Sequence, residues 1–397
     1  MNLLSQRLQS LSPSETLAMA QKSNELKAQG FDVINMSVGE PDFSTPDHIK
    51  EAAKKAIENN FSFYSPVPGF IELRKAICSK LKSENNIEYE PSQIVVSNGA
   101  KQSLSNVLFS IIGKGDEVIV PAPYWVSYPE MIKLAEGTTV VVSAGIEQDF
   151  KINAKQLEEA ITEKTKAFVL CSPSNPTGSV YTKEELKSLA DVLAKYPNVF
   201  VIADEIYEHI NYIGKHESMS QFENIRDRVI IVNGVSKGYA MTGWRIGWIA
   251  APQWIASACS SLQGQYTSGA SSISQKAAEA AYTGSQDCVE EMRIAFERRK
   301  NLITGLLRDI PGLTVNDPMG AFYIFPQIKN YIGKSYEGNK INSAADLAMF
   351  LLEVAHVACV GGDAFGAPDC IRFSFATSDE NIVKAVDRVK MALAKLS

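Results

Sequence analysis

Val229-Ile230-Ile231-Val232-Asn233-Gly234-Val235-Ser236-Lys237-Gly238-Tyr239-Ala240-Met241-Thr242-Gly243-Trp244-Arg245-Ile246-Gly247-Trp248 is the run on which the reading of this chain turns. An apolar strand, Val229 to Val232, gives way to Asn233-Gly234, and a second apolar run occupies Arg245 to Ala251. A lysine directly after a serine, between glycines, therefore sits at a strand terminus, where α/β proteins gather their ligand-binding groups. Taken alone, the run also has an ordinary reading, because most lysines are solvated and glycine-rich connections are usually turns. Its neighbours along the chain decide.

Upstream the chain alternates. Strand Ile94 to Val96 is followed by helix Lys101 to Ile112, strand Glu117 to Val120, helix Val126 to Leu134, strand Thr139 to Val142 and helix Ala154 to Ile161. Strand Ala167 to Cys171, helix Lys183 to Lys195 and strands Val199 to Ala203 and Val229 to Val232 complete the series. Short apolar strands alternating with amphipathic helices predict a mostly parallel central sheet covered by helices on both faces. Earlier, Ser14 and Gly30 bracket a helix, a short strand runs from Val33 to Met36, and Thr45-Pro46 opens another helix with Thr45 as cap. Beyond residue 251 helices dominate (Trp254 to Leu262, Ser274 to Tyr282, Val289 to Leu307). Then come short strands at Leu313 to Val315, Ala321 to Phe325, Val357 to Val360 and Ile371 to Phe375, with helices Ala344 to Val354 and Ile382 to Leu396. The expected division is a large domain over residues 46–296 and a smaller α+β domain from both chain ends, residues 1–45 and 297–397.

With 397 residues, 45% of them hydrophobic, and a net charge of -6 from interspersed signs, the chain has no basic footprint for nucleic acid or an anionic membrane. No run approaches the ~20 apolar residues of a membrane span, and Met1 to Arg7 lacks an apolar signal core, so a cytoplasmic protein is expected. Six scattered cysteines and four histidines show no metal-ligand spacing, so no metal is expected.

The segments just past the strand ends are polar or aromatic. Ser97-Asn98-Gly99-Ala100-Lys101 runs straight into a helix and offers free N–H groups to an anion. Pro123-Tyr124-Trp125, Ser172-Pro173-Ser174-Asn175-Pro176-Thr177-Gly178 and Asp204-Glu205-Ile206-Tyr207 come after the next strands, and Lys237 after the last. A lysine amine condenses with an aldehyde, an aspartate keeps a pyridine nitrogen protonated, and a tyrosine hydroxyl and an asparagine amide bond a phenolate oxygen. Arg245 and the loop N–H groups neutralise a phosphate, and Trp125 stacks on a ring. Each piece has an ordinary alternative as turn, cap, ion pair or core aromatic. Together they meet the needs of pyridoxal 5'-phosphate (PLP).

With Ser37-Val38-Gly39-Glu40-Pro41-Asp42-Phe43, Trp244-Arg245-Ile246-Gly247 and Ile371-Arg372-Phe373-Ser374 added, the set resembles the class I aminotransferases of PLP fold type I. Within them it is most similar to the bacterial aspartate aminotransferases. The resemblance implies that Lys237 binds the cofactor aldehyde and then serves as general base, that Asp204 pairs with the ring nitrogen, and that Tyr207 and Asn175 bond the ring oxygen. It implies that Gly99, Ala100 and Arg245 hold the phosphate, with Lys101 in the same segment and Tyr64 reaching the phosphate of a neighbouring subunit, so that the active unit is a homodimer. The substrate α-carboxylate would lie on Arg372 with Asn175, the Gly39 N–H and Trp125. The activity implied is transfer of the amino group of L-aspartate to 2-oxoglutarate by a ping-pong route through pyridoxamine phosphate.

Animal-type members use an arginine from the partner subunit for the side-chain carboxylate, in a region that here reads Gln263-Gly264-Gln265-Tyr266-Thr267-Ser268. In the bacterial subgroup a lysine resembling Lys101 takes that role. Gly234 stands where many members carry a serine or alanine near the phosphate, which puts one phosphate hydrogen bond in question and leaves Ser236 as the substitute if it turns inward. Other readings keep the cofactor: an aromatic or prephenate-type aminotransferase, or a C–S lyase. A non-catalytic PLP-fold sensor would need a basic helix-turn-helix module that residues 1 to 45 do not offer. The Ala122-Pro123 and Asn175-Pro176 bonds, in tight turns after strands, are expected to be cis.

Overall fold

The computed structural model describes residues 4–397. Its strands, in chain order, are β1 (Ile34–Asn35), β2 (Ile94–Ser97), β3 (Glu117–Ala122), β4 (Thr138–Ser143), β5 (Thr165–Cys171), β6 (Phe200–Asp204), β7 (Val229–Gly234) and β8 (Gly247–Ala250). They continue with β9 (Tyr323–Ile324), the hairpin β10 (Ser335–Tyr336) and β11 (Asn339–Lys340), β12 (Val357–Ala358), β13 (Val360–Gly361) and β14 (Ile371–Ser374).

Seven strands form the central sheet in the order β2-β8-β7-β6-β5-β3-β4, and only β8 runs antiparallel to its neighbours. Alternate side chains explain why it is buried on both faces. Val118, Val120, Val169, Ile202, Ile230, Val232 and Ile249 pack with Leu104, Val107 and Leu108 of helix Ala100–Ile111 and with Met131 and Ile132 of helix Ser127–Leu134. Ile119, Phe168, Leu170, Val201, Ala203 and Val229 face the other way, onto Leu186, Leu189 and Leu193 of helix Lys183–Leu193. Ile231 and Trp248 on that face meet Ile49, Leu73 and Ile77. Each such valine, leucine, isoleucine, phenylalanine or methionine contributes about 1.5–3 kcal/mol on burial, and a one-residue slip would exchange the two faces.

A second layer joins both chain ends. β1 pairs in parallel with β12, while β13, β14 and β9 form a small antiparallel sheet. Met19, Val33, Ile34 and Met36 share one apolar cluster with Phe296, Ile303, Leu347, Phe373 and Val389, and Tyr207 and Ile210 also belong to it.

Several details differ from the expectations. Thr45 does not cap the next helix, Asp47–Glu58, whose cap position is Pro46; its hydroxyl instead donates to the Ala240 carbonyl (2.7 Å) and accepts from the Trp244 indole (2.9 Å). Ser14 precedes helix Glu15–Ala28 without making a capping hydrogen bond. The expected strand at Leu313 to Val315 is a single antiparallel bridge between Thr314 and Gln327, and Gln327 is bridged on its other side to Cys370. The helix expected over Val289 to Leu307 is present as Asp287–Arg308, and position 297 falls within it. Ala122-Pro123 and Asn175-Pro176 are cis, as expected, and so is Ser172-Pro173.

Candidate active site

Because β2, β3, β5, β6 and β7 run the same way, their carboxyl ends share one edge, and the antiparallel β8 brings its amino end there too. Register completes the alignment: Cys171 lies beside Asp204, Asp204 beside Val232, and Gly234 and Ser97 both beside Gly247. At this edge opens a cavity of about 360 Å³ lined by Gly39, Ala100, Lys101, Trp125, Asn175, Asp204, Tyr207, Lys237, Arg245 and Arg372. Residues far apart in the sequence and singled out by it thus converge on one space.

Lys237 donates to the Gly39 carbonyl (2.5 Å), and its ammonium lies 5.8 Å from the Tyr207 ring centre and 5.9 Å from that of Phe322. Burial, reinforced by Arg372 and Arg245 against the opposing pull of Glu40, brings its pKa down to about 8. At pH 7 about one amine in ten is then unprotonated and nucleophilic. Asp204, 4% exposed, accepts from the Tyr128 hydroxyl (2.6 Å) and from the Ile206 N–H (3.3 Å). Burial raises its carboxyl to about 6 despite those bonds. A buried carboxylate so disfavoured is stabilised by any cation brought against it.

Arg372 projects from β14 and is only 2% exposed. It donates to Asn175 Oδ1 (2.8 Å) and to the Ser37 carbonyl (2.5 Å), and lies 4.6 Å from the Tyr323 ring centre and 4.9 Å from that of Phe365. Its Nε has no hydrogen-bond partner among the described residues. Burial lowers its pKa, yet a guanidinium stays charged, so an uncompensated cation faces the cavity and invites a carboxylate. Tyr207 shares a hydrogen bond of 2.8 Å with Tyr323, whose hydroxyl would lie 2.3 Å from any Cβ at Gly39.

Gly99 precedes helix Ala100–Ile111 at φ 84° and ψ 158°, a conformation open to glycine. A Cβ there would fall 2.2 Å from Arg245 Nη2, and one at Gly247 would fall 2.1 Å from the Ala100 nitrogen. Two glycines thus let an arginine and a helix start close together. Arg245, itself at φ 56°, donates to the Thr242 (2.9 Å) and Asn98 (3.3 Å) carbonyls. Helix-start N–H groups beside a guanidinium make an anion cradle. Lys101 stands at the mouth with its ammonium 4.9 Å from the Trp125 ring centre, its pKa lowered by partial burial and by Arg245.

Tyr64 does not join them; it is 96% exposed on this chain, next to Phe63 at 82%. Ser236 does line the cavity, whereas a Cβ at Gly234 would come within 2.7 Å of the Ile246 carbonyl oxygen. Sequence reasoning gave no role to Thr16, Glu40, Tyr128 and Tyr323, all of which line the cavity: Thr16, Tyr128 and Tyr323 lie within helices or a strand and not past a strand end, and Glu40 entered only as part of the segment around Gly39. It also missed that the histidines meet carboxylates: Glu84, Glu208 and His209, and Glu205, Glu208 and His216, bring ligand-type atoms within 4.8 Å of one another. In both groups Glu208 is already bonded to the Lys80 ammonium.

Residues 32–389 match the family model of class I and II aminotransferases. A probable aspartate/prephenate aminotransferase from Rhizobium leguminosarum bv. phaseoli is 48% identical over 394 residues, covering 98% of each chain. The crystal structure of an aspartate aminotransferase from Rhizobium meliloti superimposes with a TM-score of 0.96 at 40% identity, covering 100% of both chains. That of an aspartate aminotransferase from Thermus thermophilus with maleate does so with 0.92 at 40%, covering 99% of this chain and 100% of that one.

Proposed function

This chain belongs to the class I and II aminotransferase family, and on that premise we propose that it is a PLP-dependent aspartate aminotransferase, moving the amino group of L-aspartate to 2-oxoglutarate. The observation that carries this is the buried Arg372, with its free Nε, facing the same cavity as the amine of Lys237 and the carboxylate of Asp204. A reactive amine, a carboxylate in need of a cation and a guanidinium in need of an anion suit an amino acid held against a protonated pyridine ring.

The residues present fit PLP. Asp204 would hold the ring nitrogen protonated, and Tyr207 and Asn175 would bond the ring oxygen. Trp125 would cover one face, and Gly99, Ala100, Lys101 and Arg245 would hold the phosphate. Bound there, the cofactor supplies an aldehyde to carry the amino group and a ring that withdraws electrons from the substrate Cα. Lys237 would hold the cofactor's aldehyde, and its Nζ, with its lowered pKa, would take the proton from the substrate Cα. Arg372 clamps the α-carboxylate with Asn175, the Gly39 N–H and Trp125, orienting the Cα–H bond. Lys101, at the mouth beside Trp125, meets the second carboxylate of a dicarboxylic substrate. Tyr207 and Tyr323, hydrogen-bonded to each other, wall the cavity against water.

Residues 46–296 would form the large domain, and 1–45 with 297–397 a small domain that closes over the site; the shared apolar cluster and the β1–β12 pairing support this. The active unit would be a homodimer in which exposed Tyr64 reaches the other subunit's phosphate. A cytoplasmic location is supported by six free cysteines; among the described residues no helix is long and apolar enough to cross a membrane.

A second acceptor, prephenate, is favoured by the name of the Rhizobium leguminosarum relative. The deciding assay supplies PLP, aspartate and 2-oxoglutarate and follows oxaloacetate through a coupled dehydrogenase. A visible absorbance band that borohydride removes, missing in Lys237→Ala, accompanies activity. Oxaloacetate formation absent, or far slower than turnover of an aromatic donor, would refute the proposal.

A further inference from the structure

Behind the cavity lies a buried charged group that the transamination chemistry does not use. Lys80 ends helix Ile71–Lys80, its side chain 1% exposed, and its ammonium bonds Glu208 Oε1 and Asn85 Oδ1 (2.8 Å). The Glu208 side chain is 4% exposed and accepts further from Asn233 Nδ2 (2.7 Å) and Asn85 Nδ2 (3.2 Å). Burial alone would raise its carboxyl, but Lys80, His209 and His216 outweigh that and hold it at about 2, so Glu208 is a carboxylate at any working pH. Two ligand-type clusters share Glu208, yet with the Lys80 ammonium bonded to it a metal ion there would have to displace a cation already in place.

A buried ion pair returns little net stability, since desolvating two charges costs about what their attraction yields. Its placement is more telling. Glu208 directly follows Tyr207, and its N–H donates to the Glu205 carbonyl (2.9 Å) within the turn that begins at Asp204. Asn233, which Glu208 holds, is 2% exposed, accepts from the Gly234 N–H (2.7 Å) and stands four residues before Lys237. His209 shares a hydrogen bond of 3.0 Å with Glu84, and its ring lies so close to Gly238, the residue after Lys237, that a Cβ there would be 2.5 Å from Nδ1. The same ring meets Tyr239 edge-on at 5.4 Å.

We propose that the buried Lys80–Glu208 pair is a positioning device: through Asn233 and His209 it locks the Lys237 loop against the turn that carries Asp204 and Tyr207. Neither residue lines the cavity, so neither is catalytic. The pair joins the helix ending at Lys80 to the two segments between which the proton and the ring must be aligned, and it does so with directional bonds that an apolar contact cannot supply. This rests on the aspartate aminotransferase reading, because it assigns the register of that reading's Lys237 against its Asp204.

Three variants of the full-length, PLP-loaded protein test it. Glu208→Gln keeps acceptors for Asn233 and Lys80 and should hold kcat within about threefold of wild type. Glu208→Ala should lower kcat about tenfold or more while KM for aspartate moves less than about twofold, the pattern of misalignment. Asn233→Ala leaves the ion pair and the His209 contacts intact and removes the Asn233 link to the Lys237 loop together with the acceptor of the Gly234 N–H, so it tests that link even where Glu208→Ala does not fold. It should lower kcat about tenfold and shift the pH midpoint of the visible band of the Lys237-bound cofactor. Wild-type kcat and an unmoved midpoint in Asn233→Ala would overturn the proposal, as would a Glu208→Ala protein that loses thermal stability but not kcat. Failure of the wild type to show the band or the transamination would instead strike the functional reading.

Discussion

Substituting Gly99 by alanine should separate the backbone of the anion cradle from its charge. At φ 84° and ψ 158° the position suits glycine, and an alanine held there stores about 1–3 kcal/mol of strain, which should come off the stability of the cofactor-free protein. The new methyl would also lie 2.2 Å from Nη2 and 2.7 Å from Cζ of Arg245. Arg245 is exposed and ends a flexible side chain, so it yields by swinging outward and gives up its bonds to the Thr242 and Asn98 carbonyls. With it would go the charge-assisted contact proposed for the phosphate, worth about 1.5–3 kcal/mol. PLP affinity, titrated by absorbance into the apoenzyme, should therefore weaken about 10- to 150-fold. A double-mutant cycle makes the reasoning refutable. In an Arg245→Ala background the obstructed group is absent, so Gly99→Ala should weaken PLP by less than about threefold while its cost in urea stability persists. Equal losses of affinity in both backgrounds, or an unchanged affinity in Gly99→Ala alone, would show that Arg245 does not take its place through the space above Gly99.

Lys101→Ala should cut kcat/KM for aspartate about tenfold or more and leave that for an apolar amino acid within about twofold; parallel losses for both would remove Lys101 from substrate selection. For Asp204 the effect is a pH slope. Its folded carboxyl is raised from 3.8 to about 6, so the protonated form is favoured by folding. The stability it contributes to the apoenzyme is complete below pH ~4 and is lost as pH rises through about 6, a swing of about 3 kcal/mol. Urea unfolding of apo Asp204→Asn should lack that part of the slope between about pH 4 and 6, and a variant with the wild-type slope would contradict the burial argument. Tyr64→Phe should weaken PLP binding about three- to tenfold, the value of one hydrogen bond, without changing the sedimentation of the proposed dimer. A wild-type protein sedimenting as a monomer would end the shared-site proposal.

Much of this site was legible because the topology makes it so. Once short apolar strands alternate with helices, strand ends must share an edge, and Asp204, Asn175, Gly99 and Lys237 can be placed together before any contact is known. What stayed hidden depends on contacts with no local trace. Tyr128 reaches Asp204 across 76 positions, and Tyr207 meets Tyr323 across 116. Lys80 is separated from Glu208 by 128, so nothing near it in the chain marks it as a buried, paired charge. Thr45 has the identity and place of a cap, but Trp244 and Ala240, nearly 200 positions away, compete for its hydroxyl and win. Spacing rules for histidine likewise look along the chain, whereas His216 finds Glu205 and His209 finds Glu84 through the fold.

Gly234 shows how a residue-by-residue comparison can point to a loss where the structure has a constraint. Read from sequence, glycine in place of serine or alanine removes one hydroxyl from the phosphate. In the fold Gly234 is paired with Gly247, and a Cβ on it would come within 2.7 Å of the Ile246 carbonyl oxygen and 2.8 Å of the Gly247 Cα. Gly247 in turn presses its backbone on Gly99 and Ala100, where a Cβ would fall 2.1 Å from the Ala100 nitrogen. Three segments are thus stacked backbone on backbone: the end of β7, the start of β8 and the loop that opens the anion cradle. A side chain at 234 would push β8 toward that loop, and the helix-start N–H groups would be displaced from Arg245. Ser236, two residues on and lining the cavity, is placed to offer a hydroxyl without that displacement. The glycine therefore belongs to the machinery that brings the loop close, and the missing hydroxyl is the lesser consequence.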